Sequence, residues 1–522
     1  MYPIYAENDK VSVTERYFTM PDGVNLYTRI AVPKKEGKYP TVFVRTPYAT
    51  PKNGVPHDIS EYNHSQLIDN GYAIVYQHCR GSGDSEGLCV PYEERDDGLT
   101  SLEIIRSLEF YNGEIFLMGG SYLATVHLSY LDTNPQDIKG AALSIQTDRM
   151  YFRNYRNGCC YKFCNVDWWL GRLQRQYPKQ NSAGTRVRPY KDIMKRTIGV
   201  DYPRFTDNLL NDTYNDFWKK DPRNSAIDNL KIPVLLTEGW YDFYVEGMFS
   251  MWERLPEETK KRSAFMVGPW GHSTAVSPAT QYPLENGNLP DDYIVEWFNS
   301  IRSGKPYKYA KPGQVNYYAI GEDTWKSAAY PTPGANIMRL YFGENNDLRQ
   351  APCETGKSIS YTYDPEKPLN CYKYHNIYKA LEMGSVDGVI SFQSEAFDQD
   401  TSFYGKIRWH MNVRSDCDDT AFFIRVYLVE NDVAYNLTET ITSLSHVKAD
   451  YKAGEKITID LLIPPIAFAV KKGGKIRVDI SSDGGIYVPH ANVKGHWAEV
   501  CETKIANNTI FTEDAFIELE KE

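Results

Sequence analysis

Ile115-Phe116-Leu117-Met118-Gly119-Gly120-Ser121-Tyr122-Leu123-Ala124 decides how this chain is read. An apolar run ends in two glycines and a serine, and the residues after it have a helix-like pattern. A strand that turns sharply into a helix lifts a serine hydroxyl above the sheet. It needs small neighbours, because the serine backbone is strained and the chain passes close by. The stretch therefore reads as a nucleophile elbow. The common form carries glycine two positions after the serine, whereas here Leu123 stands there and the next small residue is Ala124. A Gly-Gly-Ser turn alone also serves structural ends, so the reading depends on whether an acid and a base stand later in the chain.

Two later stretches match it. Pro233-Val234-Leu235-Leu236-Thr237 leads into Glu238-Gly239-Trp240-Tyr241-Asp242, and Ala264-Phe265-Met266-Val267 leads into Gly268-Pro269-Trp270-Gly271-His272. Each is a short apolar strand candidate ending in glycine and a titratable residue, at the strand ends where open α/β sheets place their chemistry. The order Ser121, Asp242, His272 is the α/β-hydrolase order. A loop aspartate or a loop histidine is ordinary on its own. Three such residues in order, each at a strand end, point to nucleophilic catalysis by a triad.

Five segments in order carry a resemblance to a family: Arg45-Thr46-Pro47-Tyr48, Arg80-Gly81-Ser82-Gly83-Asp84-Ser85-Glu86-Gly87, Gly119 to Ala124, Gly239-Trp240-Tyr241-Asp242, and Gly268-Pro269-Trp270-Gly271-His272. The chain resembles the CocE/NonD acyl hydrolases, which include cocaine esterase, α-amino-acid ester hydrolases, glutaryl acylases and X-Pro dipeptidyl-peptidases. The resemblance runs from about Val11 to the end. It implies an α/β-hydrolase domain with a helical cap insertion and a C-terminal β-sandwich (jelly-roll) domain. It also implies that Tyr48 completes an oxyanion hole with the backbone N–H of Tyr122, the residue directly after the nucleophile. Trp168 and Trp169 of the cap are candidates to line the acyl pocket, with Trp240 and Trp270 beside the acid and the base. His78 stands where an acidic residue is expected. The amino-ester hydrolases hold a substrate ammonium with carboxylates soon after the acid, yet Asp242 is followed by Phe243-Tyr244-Val245 and only then Glu246. That weakens a free-amine reading. On the same reading, the extra N-terminal domain of the longer bacterial X-Pro dipeptidyl-peptidases is not expected here.

At 522 residues the chain exceeds what one core serves, so two or three domains are expected. Short strand candidates recur at Thr41 to Val44, Ala73 to Tyr76, Ile115 to Met118, Ala141 to Ile145, Val234 to Thr237 and Ala264 to Val267, after an antiparallel hairpin from Val11 to Pro33 that turns at Asp22-Gly23. Helical stretches between them indicate a mostly parallel, doubly wound sheet. From Ile145 to Asn229 the strand rhythm stops and the sequence turns aromatic and basic. Arg149 to Arg196 holds eight Arg and four Lys against Asp167 and Asp192, a net +10 in a chain of −10. Such a cap is either a solvated helical surface or a field that attracts an anionic substrate group. From about Lys311 short alternating segments separated by turns read as the β-sandwich. The expected division is 1–145 and 231–305 for the hydrolase domain, 146–230 for the cap and 306–522 for the jelly roll.

The net charge and a pI near 5.6 argue against nucleic-acid binding. No stretch approaches the ~18 apolar residues of a membrane span, and the first ten residues lack a signal peptide's basic opening and apolar run, so a cytoplasmic location is expected. The nine cysteines show no zinc spacing and read as free thiols. No metal or cofactor is expected. The Arg80 to Gly87 loop is not followed by the Gly-Lys-Ser/Thr of a phosphate cradle. The expected partner is a small-molecule or short-peptide acyl substrate, and a homo-oligomer is allowed. The expected function is hydrolysis of an ester or amide through an acyl-enzyme on Ser121. X-Pro dipeptidyl-peptidase or acylase activity is one alternative, and a catalytically silent ligand-binding protein on the same fold is another.

Overall fold

The structure is a computed structural model and describes residues 7–48, 61–173, 188–332, 336–352, 356–369 and 376–522. Met1 to Ala6, and Arg175, Lys179 and Arg186 of the basic segment, lie outside the described residues. The chain begins with the antiparallel hairpin of β1 (Val11–Thr19) and β2 (Asn25–Pro33), paired from Val11 opposite Pro33 to Thr19 opposite Asn25. It continues through β3 (Tyr39–Thr46), α1 (Glu61–Asp69), β4 (Ala73–His78), α2 (Arg95–Arg106), β5 (Tyr111–Gly120), α3 (Tyr122–Leu128) and β6 (Ile138–Ser144). The cap comes next, with α4 (Met150–Asn154), a two-stranded ribbon of β7 (Tyr155–Arg156) and β8 (Cys159–Cys160), and α5 (Trp168–Leu173), α6 (Ile193–Ile198), α7 (Pro203–Leu210) and α8 (Asp216–Lys219). The chain then returns to the sheet through β9 (Val234–Gly239), α9 (Val245–Arg254) and β10 (Ala264–Gly268).

The first sheet has ten strands in the order β1-β2-β4-β3-β5-β6-β9-β10-β11-β12, where β11 is Val315–Ala319 and β12 is Thr324–Ala328. Its middle is parallel throughout, from β4 to β11. Helices cover both faces of such a sheet, so its strands must be apolar on both sides. All residues of β4, β9 and β10 are accordingly buried. Each fully buried Val or Leu there contributes about 1.5–3 kcal/mol relative to exposure.

The expected boundary between 305 and 306 does not coincide with a change of sheet. Strand β11 pairs parallel to β10 and β12 antiparallel to β11, so the hydrolase sheet runs on to Ala328. Alternation in Val315 to Ile320 has the same look in either sheet, and only the neighbouring strand distinguishes them. The second sheet contains β13 (Asn336–Phe342), β14 (Asp347–Arg349), β15 (Ser358–Tyr363), β16 (Ile390–Ser394), β17 (Thr401–Ser415), β18 (Ala421–Glu430), β19 (Val433–Ser443), β20 (Ile457–Val470), β21 (Lys475–Ser481) and β22 (Ala506–Lys521). Its order is β19-β18-β21-β16-β14-β13-β22-β17-β20, with β15 on β22, and the outer strands β19 and β20 approach each other so that the sheet nearly closes. This is the β-rich domain of the jelly-roll kind. Ile320 bonds across to β20, giving its N–H to Ala467 O and accepting from Ala469 N, which ties the two sheets together.

The cap touches the second domain as well. Tyr161 bridges to Tyr487, and Lys162 N donates to Ile486 O at 3.0 Å. Cys159, Cys160 and Cys164 are buried free thiols whose pKa values burial raises. Among the described residues no group of His, Cys, Asp and Glu is placed to hold a metal ion, and no helix is long and apolar enough to cross a membrane.

His127 of α3 is fully buried, hydrogen-bonded through Nδ1 to Tyr130 Oη at 2.5 Å and packed against the Phe43 ring. Burial, then the Arg45 charge, lowers its pKa from 6.5 to about 3. The unfolded chain takes up a proton near pH 6.5 that the native protein refuses until about pH 3. Stability is therefore lost as pH falls across that window, by about 1.4 kcal/mol per pH unit for this proton. In urea titrations at stepped pH, His127→Gln should remove about one proton from that slope. An unchanged slope would contradict the assignment.

Candidate active site

Three loops at the carboxyl ends of β5, β9 and β10 converge. Ser121 occupies the turn between β5 and α3 with φ 55° and ψ −126°, a left-handed backbone that a non-glycine residue holds only under strain. Its N–H donates to Ser144 O at 2.9 Å, which fixes the turn to β6. A Cβ on Gly119 would lie 2.5 Å from the Leu123 carbonyl, so the close approach that demands glycine occurs before the serine.

His272 Nε2 stands 2.8 Å from Ser121 Oγ, and His272 Nδ1 stands 2.6 Å from Asp242 Oδ2. Asp242 is 4 % exposed, and its Oδ1 accepts from Tyr244 N at 2.8 Å. The loops that carry Asp242 and His272 are bonded to each other, Trp240 N to Gly268 O and Tyr241 N to Trp270 O, both at 2.9 Å. Gly239 permits this crossing, since a Cβ there would lie 2.3 Å from Trp270 O. The imidazole stacks on Phe243, with ring centroids 4.8 Å apart, and meets the edge of Tyr244. Glu238, fully buried beside this acid, has its pKa pushed well above the usual carboxylate range by burial and then by the Asp242 charge.

A cavity of about 200 Å³ opens over Ser121 and His272, walled by Tyr48, Tyr122, Trp168, Phe243 and Tyr244, with Gln146, Arg153 and Cys164 from the cap side. Tyr48 Oη accepts from Trp168 Nε1 at 3.2 Å, and Arg172 lies over the Tyr48 ring. The Tyr122 phenol is committed elsewhere: it bonds Glu94 and accepts from Tyr92 N at 2.6 Å. Burial and then the Glu94 charge raise its pKa well above that of a free phenol. Its backbone N–H, the first of helix α3, has no acceptor within the helix.

The four tryptophans separate. Trp168 lines the cavity, but its neighbour Trp169 does not. Successive helical side chains diverge by about 100°, and Trp169 points into the cap core, fully buried against Tyr202 and Phe205. Trp270 is a core residue, its Nε1 bonded to Gly287 O at 2.8 Å. Trp240 bonds Tyr318 O at 2.8 Å, stacks on Phe249, and borders a separate, smaller cavity toward Arg425 and Ile486. Cys164 and Phe243 border both cavities. Arg153, Phe243 and Tyr244 line the pocket although the sequence did not single them out. The aromatic pair directly after Asp242 was the available signal for two of them. The Arg80 to Gly87 loop does not line the site. Arg80 clamps Asp97 and Asp22 at 2.7 Å each, and His78 is buried beside Tyr27 and Tyr76.

A sequence model described as X-Pro dipeptidyl-peptidase (S15 family) matches residues 22–274. A second, the X-Pro dipeptidyl-peptidase C-terminal non-catalytic domain, matches residues 308–513. The cocaine esterase of Rhodococcus sp. (strain MB1 Bresler) is 22% identical over 523 residues, covering 89% of this chain and 89% of its own. A selenomethionine-labelled α-amino acid ester hydrolase superposes with a TM-score of 0.84 at 17% identity, over 100% of this chain and 98% of its own. An aminopeptidase from the marine sediment archaeon Thaumarchaeota archaeon does so at 0.81 and 17% identity, over 100% of both. At those identities the two structures speak for the fold. With the catalytic model matched over residues 22–274 and the C-terminal model over 308–513, the chain belongs to the CocE/NonD serine hydrolases of the X-Pro dipeptidyl-peptidase S15 family.

Proposed function

We propose that the protein hydrolyses a carboxylic ester or amide through an acyl-enzyme on Ser121, with His272 as general base and Asp242 orienting it. The observation that carries the reading is the unbroken hydrogen-bonded series Ser121 Oγ, His272, Asp242 at the mouth of a cavity. His272 Nε2 takes the Oγ proton as Ser121 attacks the acyl carbonyl, and Asp242 holds the other ring nitrogen in its N–H tautomer and stabilises the imidazolium. The proton passes to the leaving group, and water then releases the acid by the same route. The tetrahedral oxyanion is met by Tyr122 N–H and the Tyr48 hydroxyl. The Trp168 indole N–H, donating to Tyr48 Oη, helps to direct that hydroxyl's own proton.

Ester or amide acyl chains are favoured over substrates with a free amine. Among the described residues no carboxylate lines the cavity, and Glu246, the first after Asp242, is paired with Arg156 at 3.5 Å. Intact-mass measurement after a fluorophosphonate tests the proposal. A single adduct mapped to Ser121 supports it, and a folded protein that takes no adduct shifts the case to a silent ligand-binding protein. Tyr48→Phe should lower kcat by roughly 10² to 10³ with a smaller change in KM. Steady-state rates within threefold of wild type would remove Tyr48 from the oxyanion hole.

A further inference from the structure

We propose that Glu94 is a positioning residue for the oxyanion hole: its carboxyl group ties down the Tyr122 phenol and so aims the Tyr122 backbone N–H at the reacting carbonyl. This rests on Ser121 being the nucleophile and Tyr122 N–H an oxyanion donor. Glu94 is not part of the wall of the cavity over Ser121. It is the N-cap residue of α2, 5 % exposed, and its Oε1 accepts from the Tyr122 hydroxyl. The Tyr92 N–H closes the junction, donating to Tyr122 Oη at 2.6 Å and to Glu94 Oε1 at 3.2 Å. The Tyr122 ring packs against Trp168 and Tyr92, with centroids 5.0 and 5.3 Å away.

Two residues of this junction carry strained backbone, Ser121 at φ 55° and Tyr92 at φ 74°. A bulky residue holds a left-handed φ only where its surroundings over-determine it. Tyr92 is held on both sides, its N–H by the phenol and Glu94, its carbonyl by Arg223 Nη1 at 3.2 Å. Ser121 is held by Ser144 O at its N–H, and beyond it by Tyr122, whose side chain runs to Glu94. The peptide between Ser121 and Tyr122 is planar, so the direction of its N–H follows from how those two residues are fixed. Glu94 also joins the two halves of the hole. Arg45 of β3 gives Nη1 to the Glu94 carbonyl at 2.9 Å and Nε to Gln77 Oε1 at 2.8 Å, and Tyr48 N donates to Thr46 Oγ1, at the end of the same strand, at 3.1 Å. One residue therefore connects the strand that presents Tyr48 with the helix that presents Tyr122. Oxyanion donors work by being fixed before the charge develops, and a displacement of about 1 Å costs on the order of 10²-fold. Glu94 Oε2 is buried without a hydrogen-bond partner among the described residues, so an amide nitrogen can replace it while the amide oxygen keeps the phenol.

The test follows p-nitrophenyl butyrate hydrolysis and the rate of fluorophosphonate labelling, with circular dichroism, in wild type, Tyr122→Phe, Glu94→Leu, Glu94→Gln and the double variant of Glu94→Leu with Tyr122→Phe. Tyr122→Phe and Glu94→Leu should each lower kcat and the labelling rate by about tenfold or more while KM stays within about threefold, because the donor acts on the transition state rather than on bound substrate. The double variant should be slower than the worse single variant by no more than about threefold, as expected of two residues acting through one bond. Glu94→Gln, which keeps an acceptor for the phenol, should lie closer to wild type than to Glu94→Leu. The proposal is overturned if Tyr122→Phe stays within about threefold of wild type in both rates, if the losses multiply in the double variant, if the loss falls on KM, or if Glu94→Gln is as slow as Glu94→Leu. Where Glu94→Leu does not fold, Tyr122→Phe decides on the same limits: it removes one oxygen, and the Tyr92 N–H retains Glu94 Oε1. A wild type that takes the fluorophosphonate without turning over the ester is judged by labelling rates alone. Equal labelling of all variants overturns the role of Glu94 only, whereas a folded wild type that takes no adduct ends the nucleophile reading and this proposal with it.

Discussion

Ser121→Ala should lower kcat on any accepted ester by about five to six orders of magnitude. The loss arises from the geometry of the turn. Ser121 is held at φ 55° with its Oγ 2.8 Å from His272 Nε2, so the strained backbone aims one hydroxyl at the base. What survives is catalysis by the oxyanion donors and by binding, worth about 10³ to 10⁴ over water. The alanine removes one oxygen at a partly open position, so the fold is retained, and circular dichroism with steady-state assay on the same preparation separates chemistry from folding. A variant that keeps a tenth of wild-type turnover would place the nucleophile elsewhere.

Asp242→Asn should cost about 10⁴ in kcat with little effect on KM. The aspartate is buried, its Oδ2 is 2.6 Å from His272 Nδ1, and its Oδ1 is occupied by Tyr244 N–H. With one oxygen committed to that backbone donor, the amide that replaces the other must turn its NH2 toward Nδ1. The ring then carries its proton on Nε2, where it cannot accept from Ser121. The rate of fluorophosphonate labelling should fall along with turnover, because both need the same proton acceptor. A variant within a hundredfold of wild type would mean that His272 is oriented by other contacts, such as its stacking on Phe243.

Much of the frame can be read from local pattern. The strand candidates coincide with β3, β4, β5, β6, β9 and β10 because buried parallel strands are short apolar runs, closed by glycine in β5, β9 and β10, a signal held within five or six residues. The hairpin at Asp22-Gly23 is equally local. The cap lacks such a pattern: its basic residues look alike in sequence, yet Arg156, Arg172 and Arg188 are bound to partners while Arg153 lines the cavity that holds Ser121. Trp240, Trp169 and Trp270 misled for the same reason. A large aromatic beside a catalytic residue in sequence is as well suited to core packing as to a pocket, and burial decides between them.

By itself, the amino-acid sequence determined the order of the elements, the α/β class, the strand ends at which Ser121, Asp242 and His272 stand, and the β-rich character of the C-terminal part. These depend on side-chain periodicity and on glycine at turns, which act over a few residues. Only the tertiary structure decided that β11 and β12 belong to the hydrolase sheet, that Trp168 rather than Trp169 faces the cavity, and that Arg153, buried, lines it with no carboxylate beside it among the described residues. Those outcomes depend on contacts between segments far apart in the chain, where packing and desolvation, summed over many neighbours, outweigh any local preference.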